Sequence, residues 1–176
     1  SLHDALPIWL NESFATYFEA LFTEFDKGPD EFAVELHNNG EIYFEEDRDH
    51  YRRPICTKVF KHPSDLFDRH LYEKGSRVLH MLRHVLGEDA FWKSMNIYVS
   101  DNRGRVVETR QLLDAIEKAT GKNLSRFFDQ WIYGAGHPEY KVRYWWDPRS
   151  KEAVVRVIQA QATNNETGLF ALPVTF

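Results

Sequence analysis

Apolar residues recur at steps of three and four through the first two-thirds of the chain, then switch to a period of two. From Trp9 the run Leu10, Phe14, Tyr17, Phe18, Leu21 and Phe25 marks one face of a helix, which Lys27-Gly28-Pro29 ends and restarts. Pro29 to about Asp49 reads as a long polar helix with Phe32, Leu36 and Tyr43 as its contacts, and Gly40 inside it is a point where it could break. The charged run Glu45 to Asp49 reads as a solvated face. His50 to Asp65, with Pro54 and Pro63, reads as a loop long enough to be functional. The chain then runs into a helix carrying Val78, Leu79, Leu82, Val85 and Leu86, stopped by Gly87. Glu88 to about Asp101 repeats the pattern with Phe91, Met95, Tyr98 and Val99. Thr109 caps a helix through Leu112, Leu113 and Ile116, and Gly121 stops it. Asn123 opens a last helix with Leu124, Phe127, Phe128, Trp131 and Ile132. Past Pro138, Tyr140, Val142, Tyr144 and Trp146 alternate with more polar neighbours, and Asp147 to Ser150 turns the chain. A second strand follows from Ala153 to Ala160, and a third starts near Leu169.

Composition narrows the function without choosing one. The 176 residues suffice for one ordinary domain and part of another, and the aromatic content supplies a core. A net charge of −5 argues against a nucleic-acid surface or a polybasic membrane patch. No apolar run approaches a membrane span, and the lone Cys56 rules out an internal disulfide, which favours a cytoplasmic setting. Ser1 to Ile8 shows neither periodicity nor the architecture of a signal peptide, and reads as a junction foreign to the fold; His3 and Asp4 lie within it.

Several residues offer chemistry, each beside a plainer reading. Glu12 and Glu19 share a second face of the first helix, with the small Ala15 and Thr16 between them. They are either a solvated acidic face, or a metal ligand (Glu12) and a carboxylate that orients another ligand (Glu19). Tyr72 alone would be an aromatic at the edge of the core, while Gly75 three positions on implies close approach by another segment. His80 and His84 have the spacing of a helical zinc pair, but Met81 stands where a catalytic Glu would be, and both read as surface residues. Arg52 and Arg53 could grip a carboxylate or phosphate, though surface or interdomain ion pairs are the commoner outcome. His62, before Pro63, reads as a loop residue.

The run Trp9-Leu10-Asn11-Glu12-Ser13-Phe14-Ala15-Thr16-Tyr17 resembles the segment of the aminopeptidase N family of zinc metallopeptidases that carries the third zinc ligand. Tyr72-Glu73-Lys74-Gly75 with Val78-Leu79 is similar to that family's Y-x-K-G-x-x-V-L segment, and Phe127-Phe128 with Trp131, then Gly136-His137-Pro138, to its F-F-x-x-W helix and G-x-P turn. Ser13 and Ser76 stand where Gly and Ala are frequent in relatives. The resemblance implies a mainly α fold, the helical C-terminal half of a thermolysin-like (gluzincin) peptidase domain over residues 9–138, then the first strands of a β-sandwich over 139–176. It implies that Glu12 binds one catalytic zinc ion with two His ligands lying before residue 1, on an H-E-x-x-H helix that also carries the general base. It further implies that Glu19 holds a ligating His in place, that Tyr72 donates a hydrogen bond to the oxyanion, and that peptides with a free N-terminus are the substrates. By itself the chain is then expected neither to bind zinc tightly nor to hydrolyse aminoacyl amides. The rival readings are a non-catalytic scaffold relative serving interactions, and a helical binding module using the Arg52-Arg53 loop.

Overall fold

The structure, a computed structural model, describes residues 8–174. Six helices and one hairpin follow in order: α1 (Ile8–Lys27), α2 (Pro29–Asp49), α3 (Gly75–Leu86), α4 (Glu88–Asp101), α5 (Thr109–Thr120), α6 (Ser125–Trp131), β1 (Tyr140–Asp147) and β2 (Glu152–Gln159). Between α2 and α3 the chain makes a 3₁₀ turn, Pro63–Leu66, and a π turn, His70–Lys74.

Helix α1 lies at the centre, packed on α2, α3 and the π turn. Its buried stripe is Trp9, Leu10, Ser13, Phe14, Tyr17 and Ala20. That differs from the expected face: Phe18 and Phe25 are 48% and 87% exposed. The small Ser13 and Ala20 turn inward instead, because neighbouring elements approach the helix too closely for an aromatic ring there. Residues 1–7 of the segment read as a junction lie outside the described residues, whereas Ile8 opens α1 and packs on the core. Trp9 fixes the far end of the core, its indole donating to Thr109 Oγ1 at 2.9 Å.

Helix α2 runs unbroken through Gly40. Its last turn is only in part the solvated face expected: Glu45, Arg48 and Asp49 are exposed, but Asp47 is buried among ion-pair partners from the following loop. The expected helix starts are also adjusted at two places. Glu108, in a capping box with Gln111, caps α5, and Thr109 is its first residue. Asn123 precedes α6 and accepts from Ser125 N through its side chain. Val99 of α4 is exposed rather than in the core.

The strands pair antiparallel, Val142 opposite Val157, around a turn with Lys151 in the left-handed region at φ 57°. The third strand expected near Leu169 does not form among the described residues. Glutamine side chains take the place of a strand partner there. Phe170 N donates to Gln159 Oε1 and Ala171 N to Gln130 Oε1, at 2.8 and 2.7 Å, while the Phe170 ring settles 4.6 Å from Trp131.

Candidate active site

The site is built on the π turn. Its widened hydrogen bond runs from Lys74 N to Arg69 O at 2.9 Å, five residues back, and such turns shift the side chains after them out of α-helical register. Charge holds this turn in place. Asp68 caps it, accepting from Leu71 N, and receives both arms of Arg53 and the Tyr51 hydroxyl. Burial alone would raise the Asp68 carboxyl, but hydrogen bonds from His70 and Arg53 hold it well below the usual carboxylate range. From α2, Glu46 accepts from Arg69 N at 2.8 Å and lies 3.2 Å from His70 Nδ1. Asp47 is gripped by Arg52 and held at about 2 in the same way, burial being outweighed by His70 and Arg52. Arg52 and Arg53 therefore pair inside the helical unit rather than on its surface or between domains.

From the other side α1 closes on the turn. Ser13 Oγ donates to Leu71 O at 2.6 Å, and a Cβ placed on Gly75 would collide with Ser13 Oγ. The close approach expected at Gly75 is thus to α1, and Ser13 both fills and bonds the space. It also brings the candidate residues near one another: the Glu12 carboxylate is close enough for its charge to act on the Tyr72 phenol. Burial, then the charge of Glu12, pushes the Tyr72 hydroxyl above its ordinary value. It is therefore a protonated donor at neutral pH. Both residues are half-buried, and Tyr72 lines an open cavity of about 440 Å³ with Ser64, Phe67 and Arg69.

Glu19 is not drawn into this pair. It is exposed, about 10 Å further along α1 by helical rise, and has no hydrogen-bond or ion-pair partner among the described residues. His80 is not the surface residue expected. It is half-buried against Tyr17 and Phe32, with Nδ1 3.2 Å from the Tyr17 hydroxyl, and burial with Arg77 and Arg83 pushes it down to about 4. His84 is exposed beside it, and the two do not form a metal-binding group with a third residue among the described residues.

Which residues could hold a metal follows from the donors. Glu46, Asp68 and His70 alone among the described residues gather three ligand atoms, within 4.8 Å of one another. Arg53, Tyr51 and the Arg69 N–H already occupy those carboxylates, so this group is an anchor for the π turn. Glu12 is different: a half-exposed carboxylate in no ion pair among the described residues, near the neutral Tyr72 phenol. A carboxylate of that kind has the donor chemistry of a single zinc ligand. Sequence reasoning missed the ion-pair anchor, the π turn and the use of Ser13; only Gly75 gave a signal.

A helical unit that sets a half-exposed carboxylate near a protonated phenol has the form of part of a metallopeptidase domain, and solved structures share its fold. The chain superposes on an M1 zinc metallopeptidase from Deinococcus radiodurans with a TM-score of 0.61 and 27% identity, over 77% of this chain and 29% of that one. It also matches the fold of Legionella pneumophila aminopeptidase A, with a TM-score of 0.73 and 21% identity over 89% of this chain and 17% of that one. The peptidase family M1 domain profile matches residues 6–131. The chain belongs to peptidase family M1. It is 32% identical over 143 residues to aminopeptidase N of Lactococcus lactis subsp. lactis, 74% of this chain and 16% of that protein. It is 30% identical over 138 residues to the tricorn protease-interacting factor F2 of Thermoplasma acidophilum, 77% of this chain and 18% of that protein. The chain thus spans under a fifth of the length of these relatives. No helix of the described residues is long and apolar enough to cross a membrane.

Proposed function

We propose that this chain supplies one zinc ligand, Glu12, and the oxyanion donor, Tyr72, of a zinc aminopeptidase acting on peptides with a free N-terminus. The observation that carries this reading is the nearness of Tyr72 to the Glu12 carboxylate, with α1 held against the π turn by the Ser13–Gly75 contact. Family membership and the M1 zinc metallopeptidase neighbour support it. Bound zinc would supply Lewis-acid polarisation of the scissile carbonyl and of water.

The chain's own residues do the following. Glu12 offers a half-exposed carboxylate near the neutral Tyr72 phenol. Tyr72 stays protonated and donates to the carbonyl oxygen as negative charge gathers on it, a bond that strengthens only as the transition state forms. The buried Asp68–Arg53 pair keeps the phenol in place, so little reorganisation is needed as the charge develops. Glu19, exposed on α1, is free to bond a His ligand brought by another segment. The two His ligands and the general base lie before residue 1 in this reading, and a small β domain begins after Pro138. By themselves the 176 residues would hold zinc weakly and turn over no substrate. Hydrolysis of aminoacyl anilides by the full-length protein, with and without Glu12→Gln and Tyr72→Phe, tests the reading. Full activity in both variants would overturn it.

A further inference from the structure

His70, the first residue of the π turn, is fully buried, and both of its ring nitrogens face carboxylates. Nδ1 lies 3.2 Å from Glu46 Oε2 and 3.6 Å from Asp68 Oδ2, and Nε2 lies 3.5 Å from Asp47 Oδ1. No donor reaches either nitrogen among the described residues. An ionised carboxylate only accepts, and a neutral imidazole carries one N–H and one bare lone pair. Either neutral tautomer would therefore turn a lone pair toward a negative oxygen, inside the protein where solvent ions screen little. The imidazolium, with two N–H donors, is the form that this site accepts.

The local charges balance in the same sense. Glu46, Asp47 and Asp68 are the acids; Arg52 pairs with Asp47 and Arg53 with Asp68, which leaves His70 as the cation beside Glu46. The other groups facing the ring or its acids are few. Tyr43 and Tyr51 pack on the imidazole at 5.5 and 5.4 Å, and His137 Nδ1 is 3.6 Å from Asp47 Oδ2. Lys74, buried on the same turn, would repel a second cation, but burial pushes it down to about 7. Burial and Lys74 act to lower His70, yet its contacts with Asp47 and Asp68 outweigh them and raise it above its ordinary value.

What the ring joins bears on Tyr72. Glu46 and Asp47 end α2, Asp68 caps the π turn, and His70 precedes Tyr72 by two residues. Glu46 also accepts from Arg69 N, so α2 holds the turn through backbone and ring together. Glu46, Asp68 and Tyr72 line the same cavity.

We propose that His70 is a positioning residue for Tyr72, its two ring N–H groups fastening the end of α2 to the π turn and so fixing the phenol where it donates. This rests on the reading of Tyr72 as the oxyanion donor.

Anilide hydrolysis by the full-length protein and its His70→Gln, Tyr72→Phe and double variants tests it. His70→Gln is expected to lower kcat by about tenfold or more with KM little changed, and to lower it no further once Tyr72 is replaced. A merely structural loss would instead add to that of Tyr72→Phe. The stability that wild type holds over His70→Gln in urea should be largest below pH 6.5, and should shrink as pH rises through the raised folded value. Should His70→Gln fail to fold by circular dichroism, the partly exposed Glu46 is replaced instead. Glu46→Gln keeps an acceptor for Arg69 N but removes the charge opposite Nδ1, and the same kcat loss, absent in the Tyr72→Phe background, is expected. Wild-type kcat in the folded variant, additive losses, or a pH-independent stability difference would overturn the proposal and leave the role of Tyr72 intact. Full activity in Tyr72→Phe would overturn that role, and the proposal with it.

Discussion

Tyr72 and Lys74 sit two residues apart on one turn, and burial acts on them in opposite directions with the same result: each favours its neutral form. For Tyr72 this preserves a proton to donate. Tyr72→Phe in the full-length protein is expected to lower kcat by about 10²–10³ with KM little changed, since the lost bond belongs to the transition state. A rise in KM with kcat intact would assign the phenol to substrate binding instead. For Lys74 the consequence is a dependence of stability on pH. The folded chain releases this proton near 7 and the unfolded chain near 10.5. Between those values the unfolded state binds more protons, so stability rises with pH across the window, and the full cost of the buried ammonium is present below it. Lys74→Met should therefore stabilise the chain most below pH 7, by on the order of a few kcal/mol, with the gain shrinking toward pH 10.5. Urea denaturation of both proteins across that range measures the gain, and a pH-independent difference would contradict the account. Neither environment could be read from the residues alone. Glu12 and Tyr72 were legible because their short motifs resemble a family's, whereas Lys74, though in the same motif as Tyr72, carries no sequence signal of its burial.

At the scale of elements, the pairing of Glu12 with Tyr72 depends on how closely α1 approaches the π turn. Gly75→Ala places a methyl group where Ser13 Oγ now sits, and should cost about 1–3 kcal/mol by overpacking. Ser13→Gly in the same chain is expected to recover a large part of that loss, and a double-mutant cycle by thermal denaturation gives the coupling. Additive effects would show that the two positions do not meet in solution. Helix positions were largely legible, because stripes such as Val78–Leu79–Leu82–Leu86 alternate with turn signals at Gly28, Gly87 and Gly121. The π turn was not, since one extra residue in a turn leaves no periodic trace in so short a segment. Phe18 and Phe25 misled for a related reason: period alone does not say which of two adjacent apolar strips faces the core. The third strand failed because Gln130 and Gln159, distant in sequence, satisfy the backbone a ladder would have used.

At the scale of the molecule, a layer of buried charge separates the helical core from the loop after α2. Asp68→Asn leaves Arg53 buried without its counter-charge, and about 3–5 kcal/mol of stability should be lost. Because the Asp68 carboxyl is held well below 3.8 when folded, its stabilisation is present above that pH and is lost as the pH falls toward the folded value. The variant should accordingly show a flatter acid limb of stability; an unchanged limb would mean another carboxylate controls it. This layer was illegible because Glu45 to Asp49 and Arg52-Arg53 each resemble ordinary surface charge, and only folding brings them together with Asp68.

Zinc binding connects these scales, since Glu12 matters only if an ion sits against it. The most direct measurement is zinc content by mass spectrometry of the full-length protein after exhaustive dialysis, with wild type beside Glu12→Gln. One zinc per wild-type chain is expected, and loss of most of it in the variant, with the helical fold retained by circular dichroism. Equal zinc in both proteins would show that Glu12 is not a ligand and would remove the basis of the proposed function.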